Sequence, residues 1–317
     1  MVQTTVLADV LESGTKLNLE AAIRGCASAF EQHQLEFGHG THDALSEASW
    51  LVLHALDLSP LEAPDYAREL SDEDIKRINA IVRERITKRL PAAYITGKTW
   101  FAGLAFRTDE RALVPRSPIA EFILHDFYEL IDVDETTRVL DLCTGGGCIA
   151  IACAMQLPHA TVDASDLSQD ALALAQLNVQ DHKLQDRVTL IHGSLFDEIQ
   201  GQYDLIISNP PYVDANDIDS MADEFRHEPL MGLAAGTDGL DLVRLMLDQA
   251  ASHLKTDDSL LVVEVGNSAP ALESAYPDVP FVWLEFQNGG SGVFVINKYE
   301  LLQHADAIKA GLTVKSG

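Results

Sequence analysis

Along residues 18–89 apolar side chains recur every three or four positions. Leu19, Ala22, Ile23, Cys26, Ala29 and Phe30 fall on one helical face. That spacing predicts a helix from Asn18 to Leu35, with Asn18 as its N-cap. A second helix is predicted from Ala44 to Leu58, around Trp50, Leu51, Leu53 and Leu56. A third opens at Ser71, where Asp74 completes a short capping box, and runs to about Arg89. Residues 1–93 therefore read as a small all-helical domain. From Trp100 to Val114 the pattern changes to alternation, with Gly97 and Gly103 nearby. This predicts a hairpin, and residues 94–116 read as a linker.

After Ser117 the two periods take turns. Helices are predicted over 119–131, 148–156, 169–181 and 239–254, and strands over 138–142, 161–165, 188–191, 203–207 and 259–265. Strand-helix-strand alternation implies an α/β domain over 117–317, with a mostly parallel sheet covered by helices on both faces. Near the end, 281–286 and 292–296 flank Asn288-Gly289-Gly290. That is a hairpin signal, so an antiparallel edge pair is expected.

Composition narrows the class. A hydrophobic fraction of 47% supports real cores, and 22% charged residues argues against disorder. No apolar run is long enough to span a bilayer. Four cysteines are too few for a disulfide scaffold, so reduced thiols and a cytoplasmic setting are expected. The net charge is −27. Residues 1–112 hold 12 basic and 17 acidic side chains, so most of the acidity belongs to the second domain. Such a field opposes naked nucleic acid, whose binding rests on Lys and Arg meeting phosphates, and favours basic proteins. The same charge would also serve solubility alone.

Two stretches carry chemistry. The first runs from Val139 to Ala150 as strand, glycine loop and helix start: Asp141, Leu142, Cys143, Thr144, Gly145, Gly146, Gly147. Glycines let a backbone approach a ligand closely, and a helix N-terminus offers free N–H groups. Gly145, Gly147 and Ala150 also satisfy the dinucleotide fingerprint, so an NAD enzyme competes at this point. Asp141 separates the readings. A carboxylate beside the loop would oppose a pyrophosphate but welcome the ammonium and sulfonium of S-adenosylmethionine. Asp166, closing the next strand, is placed to accept two ribose hydroxyls of either ligand, and an N-cap for the following helix is the lesser alternative. Leu195 lies where an adenine ring would rest, or in ordinary core. No metal site is expected: the cysteines match no zinc spacing.

The second stretch is Asn209-Pro210-Pro211-Tyr212, directly after an apolar strand. Two prolines forbid both helix and central strand and remove two N–H donors. What remains is a stiff pair of acceptors, the Asn209 amide oxygen and the Pro210 carbonyl, beside the Tyr212 ring. That pair suits a planar –NH2 group, whose two hydrogens need two acceptors. A plain turn after a strand is the alternative.

Asp141, the triple-glycine loop, Asp166 and Asn209-Pro210-Pro211-Tyr212 occur in the order found in class I S-adenosylmethionine methyltransferases, which are Rossmann-like. Nearly the whole chain resembles the HemK-type N5-glutamine methyltransferases, with their helical N-terminal domain, Leu113-Val114-Pro115-Arg116 before the sheet, and Glu228-Pro229 downstream. It is most similar to the branch that methylates the third protein of the large ribosomal subunit. Pro115-Arg116-Ser117-Pro118 replaces the Pro-Arg-Pro-Asp of the release-factor branch, and Cys143 stands where that branch has glycine. Arg226-His227-Glu228-Pro229 and Asn288-Gly289-Gly290 also resemble the ribosomal branch.

The resemblance implies an S-adenosylmethionine-dependent protein methyltransferase with a basic ribosomal protein as substrate. It implies a cofactor site at Asp141, Cys143, Thr144, Gly145, Gly146, Gly147, Asp166, Leu195 and Asn209. It implies catalysis by Asn209, Pro210 and Tyr212, with Pro211 completing the substrate pocket. It also implies that the helical domain selects the substrate. Release factors are the alternative substrate, and adenine N6 of a nucleic acid is a further one that the acidic charge opposes. Neither a membrane nor a nucleic-acid partner is expected.

Overall fold

Capping chemistry sets the first helices where the pattern put them. The structure, a computed structural model, describes residues 9–313 apart from 13, 15, 61, 215, 216, 219 and 220. Helix α1 spans Leu19–Gln32, and the Asn18 side chain accepts from Ala21 N. Helix α2 spans Ala44–Ala55, with Asp43 as its cap. Helix α3 spans Asp72–Lys88, and Ser71 and Asp74 form the reciprocal capping box. A short α4, Ala92–Thr96, follows. Each cap satisfies an amide that the first helical turn leaves without an internal partner.

The chain divides into two compact units. One comprises the described residues of Met1–Thr99 together with Ala222–His227; the other comprises Trp100–Met221 and the described residues of Glu228–Gly317. Continuous domains do not anticipate the six-residue excursion. Its physical reason is electrostatic. Arg85 is fully buried in the helical unit, ion-paired to Glu47 at 2.6 Å and to Glu224 at 3.3 Å. Glu224 also meets Arg89 at 2.9 Å and accepts from Glu36 N. A buried guanidinium without such partners would be costly, and one of its two carboxylates comes from a segment more than 130 residues downstream.

The hairpin consists of β1, Lys98–Phe101, and β2, Leu104–Arg107. Beyond it, α5 spans only Ile119–Leu124, not the longer helix that periodicity suggests. Asp126 to Glu129 adopt positive φ of 51–58° instead. This left-handed turn buries Phe127 edge-on against Phe122, with centroids 5.3 Å apart.

The second unit continues β3 (Arg138–Leu142), α6 (Cys148–Gln156), β4 (Thr161–Asp166), α7 (Gln169–Asp181), β5 (Val188–His192), β6 (Leu205–Ser208), α8 (Asp241–His253) and β7 (Leu260–Glu264). It closes with α9 (Ala269–Ala275), β8 (Val282–Trp283), β9 (Val293–Asn297), α10 (Lys298–Gln303) and α11 (Ala305–Thr313). The seven strands lie in the order β5-β4-β3-β6-β7-β9-β8. All pairs are parallel up to β7; β9 is antiparallel to both β7 and β8.

Successive residues of each central strand enter opposite cores. Leu205, Ile207, Leu260 and Val262 join one cluster with Ile151 and Phe122; Ile206, Leu261 and Val263 join the other with Met246 and Leu247. A strand buried on both faces reads as an unbroken apolar run, which is why these stretches lack polar alternation. The winding reverses between β3 and β6, so a crevice opens beyond their carboxyl ends. Among the described residues no helix is long and apolar enough to cross a membrane.

Candidate functional site

The crevice holds a cavity of about 290 Å³, at the lower end of the range for ligand pockets, ~300–1,000 Å³. One wall is the loop between β3 and α6. It reverses direction through Cys143, Gly145 and Gly147, with φ of +58, +55 and +83°. Glycine takes such angles freely, whereas Cys143 carries a side chain there at some cost. Hydrogen bonds fix the loop. Thr144 N donates to Ser165 O, Gly145 N to Asp166 Oδ2 at 2.8 Å, and Asn178 Nδ2 to Gly146 O at 2.8 Å. A Cβ at Gly145 would meet only Ala112 Cβ, at 3.9 Å, so that face is open to an occupant.

Asp141 is not on this wall. It is fully buried behind the loop, where its Oδ2 accepts from Thr144 Oγ1 at 2.5 Å and Ala150 N at 3.0 Å. The sequence reading set Asp141 against a cationic ligand. The structure uses its carboxyl to join the loop to the start of α6. Burial pushes its pKa up to about 7 from an ordinary 3.8, against the pull of those two hydrogen bonds. Between those values the folded chain holds a proton that the unfolded chain has lost, so this residue's contribution to stability falls as pH rises from about 4 to about 7. Asp141→Asn cannot ionise. Its melting temperature relative to the natural chain should therefore improve as pH is raised over that interval and level off above it. Thermal unfolding at stepped pH checks this, and a pH-independent difference would refute it.

Asp166 does face the cavity. Its Oδ2 holds Gly145 N and its Oδ1 holds Ser168 N, each at 2.8 Å. Burial raises its pKa, while those amides oppose the rise. Ser168 is the helix cap here: its side chain accepts from Ala171 N.

The opposite wall is the turn after β6. Ser208 Oγ donates to Leu142 O at 2.7 Å, locking the ends of the two central strands together. Asn209 follows, half-buried and on the cavity wall, and its side chain makes no hydrogen bond to the described residues. Pro210 and Pro211 line the cavity beside it. Tyr212 is held at two points. Its carbonyl accepts from Ser268 Oγ at 3.0 Å, and its hydroxyl donates to Glu264 Oε1 at 2.9 Å. Burial and the adjacent Glu264 push the Tyr212 phenol well above its usual range.

Residues 111–117 supply a further wall. Arg116 forms a two-pronged pair with Glu228, at 2.6 and 2.7 Å, and Glu228 also accepts from Val114 N. Met231 lines the mouth; it and its neighbour Leu230 are about 60% exposed.

The cavity thus brings together Cys143, Thr144, Gly145, Gly146, Asp166, Asn209, Pro210, Pro211 and Tyr212. Gly147 and Leu195 do not line it. Gly147 packs on Ala175, where a Cβ would lie 3.2 Å from the alanine Cβ. Leu195 is in the core at a φ of +46°, beside Phe196, whose ring stacks on His253. Leu167, Ser168 and Ala171 line the cavity near Asp166 instead. Sequence reasoning missed Glu264, although an acid closing the run Leu260-Leu261-Val262-Val263 was a visible signal.

The methyltransferase small domain family matches residues 125–235, and the PrmC N-terminal domain family matches residues 23–97. A ribosomal protein uL3 glutamine methyltransferase of Francisella tularensis is 44% identical over 90% of this chain and 92% of its own length. One from Xanthomonas campestris is 46% identical over 90% and 93%. Among solved structures, a methyltransferase from Pyrococcus furiosus aligns with a TM-score of 0.46 at 16% identity, over 62% of this chain and 89% of that one. At the identity and coverage of the two curated relatives, the chain belongs to the family of ribosomal protein uL3 glutamine methyltransferases.

Proposed function

We propose that the chain transfers a methyl group from S-adenosylmethionine to the side-chain amide nitrogen, N5, of a glutamine in ribosomal protein uL3. The observation that carries this is Asn209: on the cavity wall, beside the Pro210 carbonyl, with its amide group engaged by no described residue. The cavity fits the cofactor. Gly145 leaves room for close backbone approach, Asp166 supplies an acceptor for ribose hydroxyls, and no arginine is left unpaired on the wall for a pyrophosphate: Arg111 pairs with Asp109 and Arg116 with Glu228. When bound, S-adenosylmethionine supplies an electrophilic methyl on a sulfonium.

The protein's own residues do the rest. An amide nitrogen is a poor nucleophile because its lone pair is delocalised into the carbonyl. Asn209 Oδ1 and the Pro210 carbonyl each accept one N–H, which orients the nitrogen and favours its pyramidal form. Held there, the nitrogen would take the methyl group that the cofactor supplies, and its surplus proton would leave to water. No general base is required. Tyr212 walls the pocket and excludes solvent.

Two observations favour a protein over a nucleic acid. The net charge of −27 attracts a cationic partner, and the mouth carries exposed Leu230 and Met231 without an unpaired cation on the cavity wall. Ribosomal proteins are met before assembly in the cytoplasm, which is where this activity belongs. The helical unit, which holds none of the cavity residues, selects the substrate. The test presents purified uL3, a release factor and adenine-containing DNA, each with methyl-labelled cofactor. Label in a uL3 glutamine alone is expected. Label in the release factor alone would move the chain to the sister branch, and label in DNA alone would overturn the charge argument.

A further inference from the structure

Glu264 ends β7 behind two cavity-lining residues, Ser117 and Tyr212, with only 4% of its surface exposed. Its position is fixed from the sheet side. It pairs with Val293 in the β7–β9 ladder, and the next two amides, Val265 N and Gly266 N, both donate to Gly292 O, at 2.7 and 3.2 Å. A buried carboxylate needs donors, and Glu264 takes one from each of two cavity walls. Tyr212 Oη donates to Oε1 at 2.9 Å, and Ser117 Oγ donates to Oε2 at 2.5 Å. The Tyr212 ring is also confined on its edge: a Cβ on Gly266 would lie 2.6–3.1 Å from three ring atoms.

We infer that Glu264 is a positioning residue for methyl transfer, tying the Asn209–Tyr212 acceptor turn to the Leu113–Ser117 wall. This rests on the functional reading above. The turn holds two prolines, so it has few torsions with which to adjust. Displacement of Tyr212 is therefore transmitted to the Pro210 carbonyl and to Asn209. Those two acceptors act only when the amide nitrogen lies in line with the methyl group, and small misplacements are felt strongly in rate. Glu264 is not among the cavity-lining residues, so its effect passes through Tyr212 and Ser117.

The test is steady-state methylation of uL3 by the full-length chain and five variants, with cofactor affinity from calorimetry. Glu264→Gln offers one acceptor where two are used, and Tyr212→Phe removes one donor. Each is expected to lower kcat about tenfold while KM for uL3 and Kd for S-adenosylmethionine stay within about twofold. The double variant should lose no more than the worse single one, since both break the same link. Ser117→Ala should lower kcat several-fold, and Ser117→Thr, which keeps the hydroxyl, should restore it. Unchanged kcat in Tyr212→Phe, or a double variant whose losses multiply, would overturn the inference. So would Ser117→Thr behaving as Ser117→Ala. Should Glu264→Gln fail to fold, the Tyr212 and Ser117 variants still decide. An inactive natural chain would instead sink the functional reading itself.

Discussion

Asn209→Ala is expected to lower kcat for uL3 methylation by about 10²–10³-fold, the scale measured when one oriented donor or acceptor is removed from a transition state. The direction follows from what surrounds the residue. Asn209 stands on the cavity wall immediately after β6, whose end is locked to β3 by Ser208. Its amide makes no hydrogen bond to the described residues, so alanine removes nothing that holds the fold. The loss therefore falls on the substrate: one of the two N–H groups of the glutamine amide loses its acceptor, and the nitrogen is no longer held in line. Binding of S-adenosylmethionine should change by only a few-fold, because the glycine loop and Asp166 are untouched. Single-turnover kinetics separates chemistry from product release. Near-normal turnover at saturating uL3 would show that Asn209 does not hold the amide.

The features that were legible in the sequence are those a local pattern encodes. Ser71 and Asp74 announce the start of α3, and the capping box forms there. The unbroken run at 205–207 announces a strand buried on both faces. Glycines at 145 and 147 announce positive φ, and both adopt it. The turn at 209–212 was readable because two adjacent prolines leave the backbone few choices.

What was not legible depends on partners distant in the chain. Nothing around Ala222–His227 signals that Glu224 completes a buried pair with Arg85, 139 positions earlier. The early end of α5 comes from Phe127 seeking Phe122 through a left-handed turn, which apolar periodicity does not register. Asp141 misled for a physical reason. Its place in the motif is adjacent to the ligand loop, but a central strand turns alternate side chains to opposite faces, and this one turns toward the start of α6. Leu195 likewise follows a strand end as a ligand contact would, yet it turns into the core.

Asp166→Ala should weaken S-adenosylmethionine binding by roughly 10²-fold, with a far smaller effect on kcat at saturating cofactor. Charge-assisted hydrogen bonds are worth about 1.5–3 kcal/mol each, and alanine would remove the two proposed between Asp166 and the ribose hydroxyls. The structure adds a second cause. Asp166 also accepts from Gly145 N and Ser168 N, so its loss frees the loop that cradles the ligand. The two causes are separable with Asp166→Asn. An asparagine oxygen can keep one of those amides, and its NH2 can still donate to a hydroxyl, but the negative charge is gone. If charge-assisted bonding dominates, Asn should lie close to Ala in affinity. If loop support dominates, Asn should lie close to the natural residue. Calorimetric titration of the three proteins decides between them. A dissociation constant unchanged in Asp166→Ala would refute the ribose assignment, whichever cause was favoured.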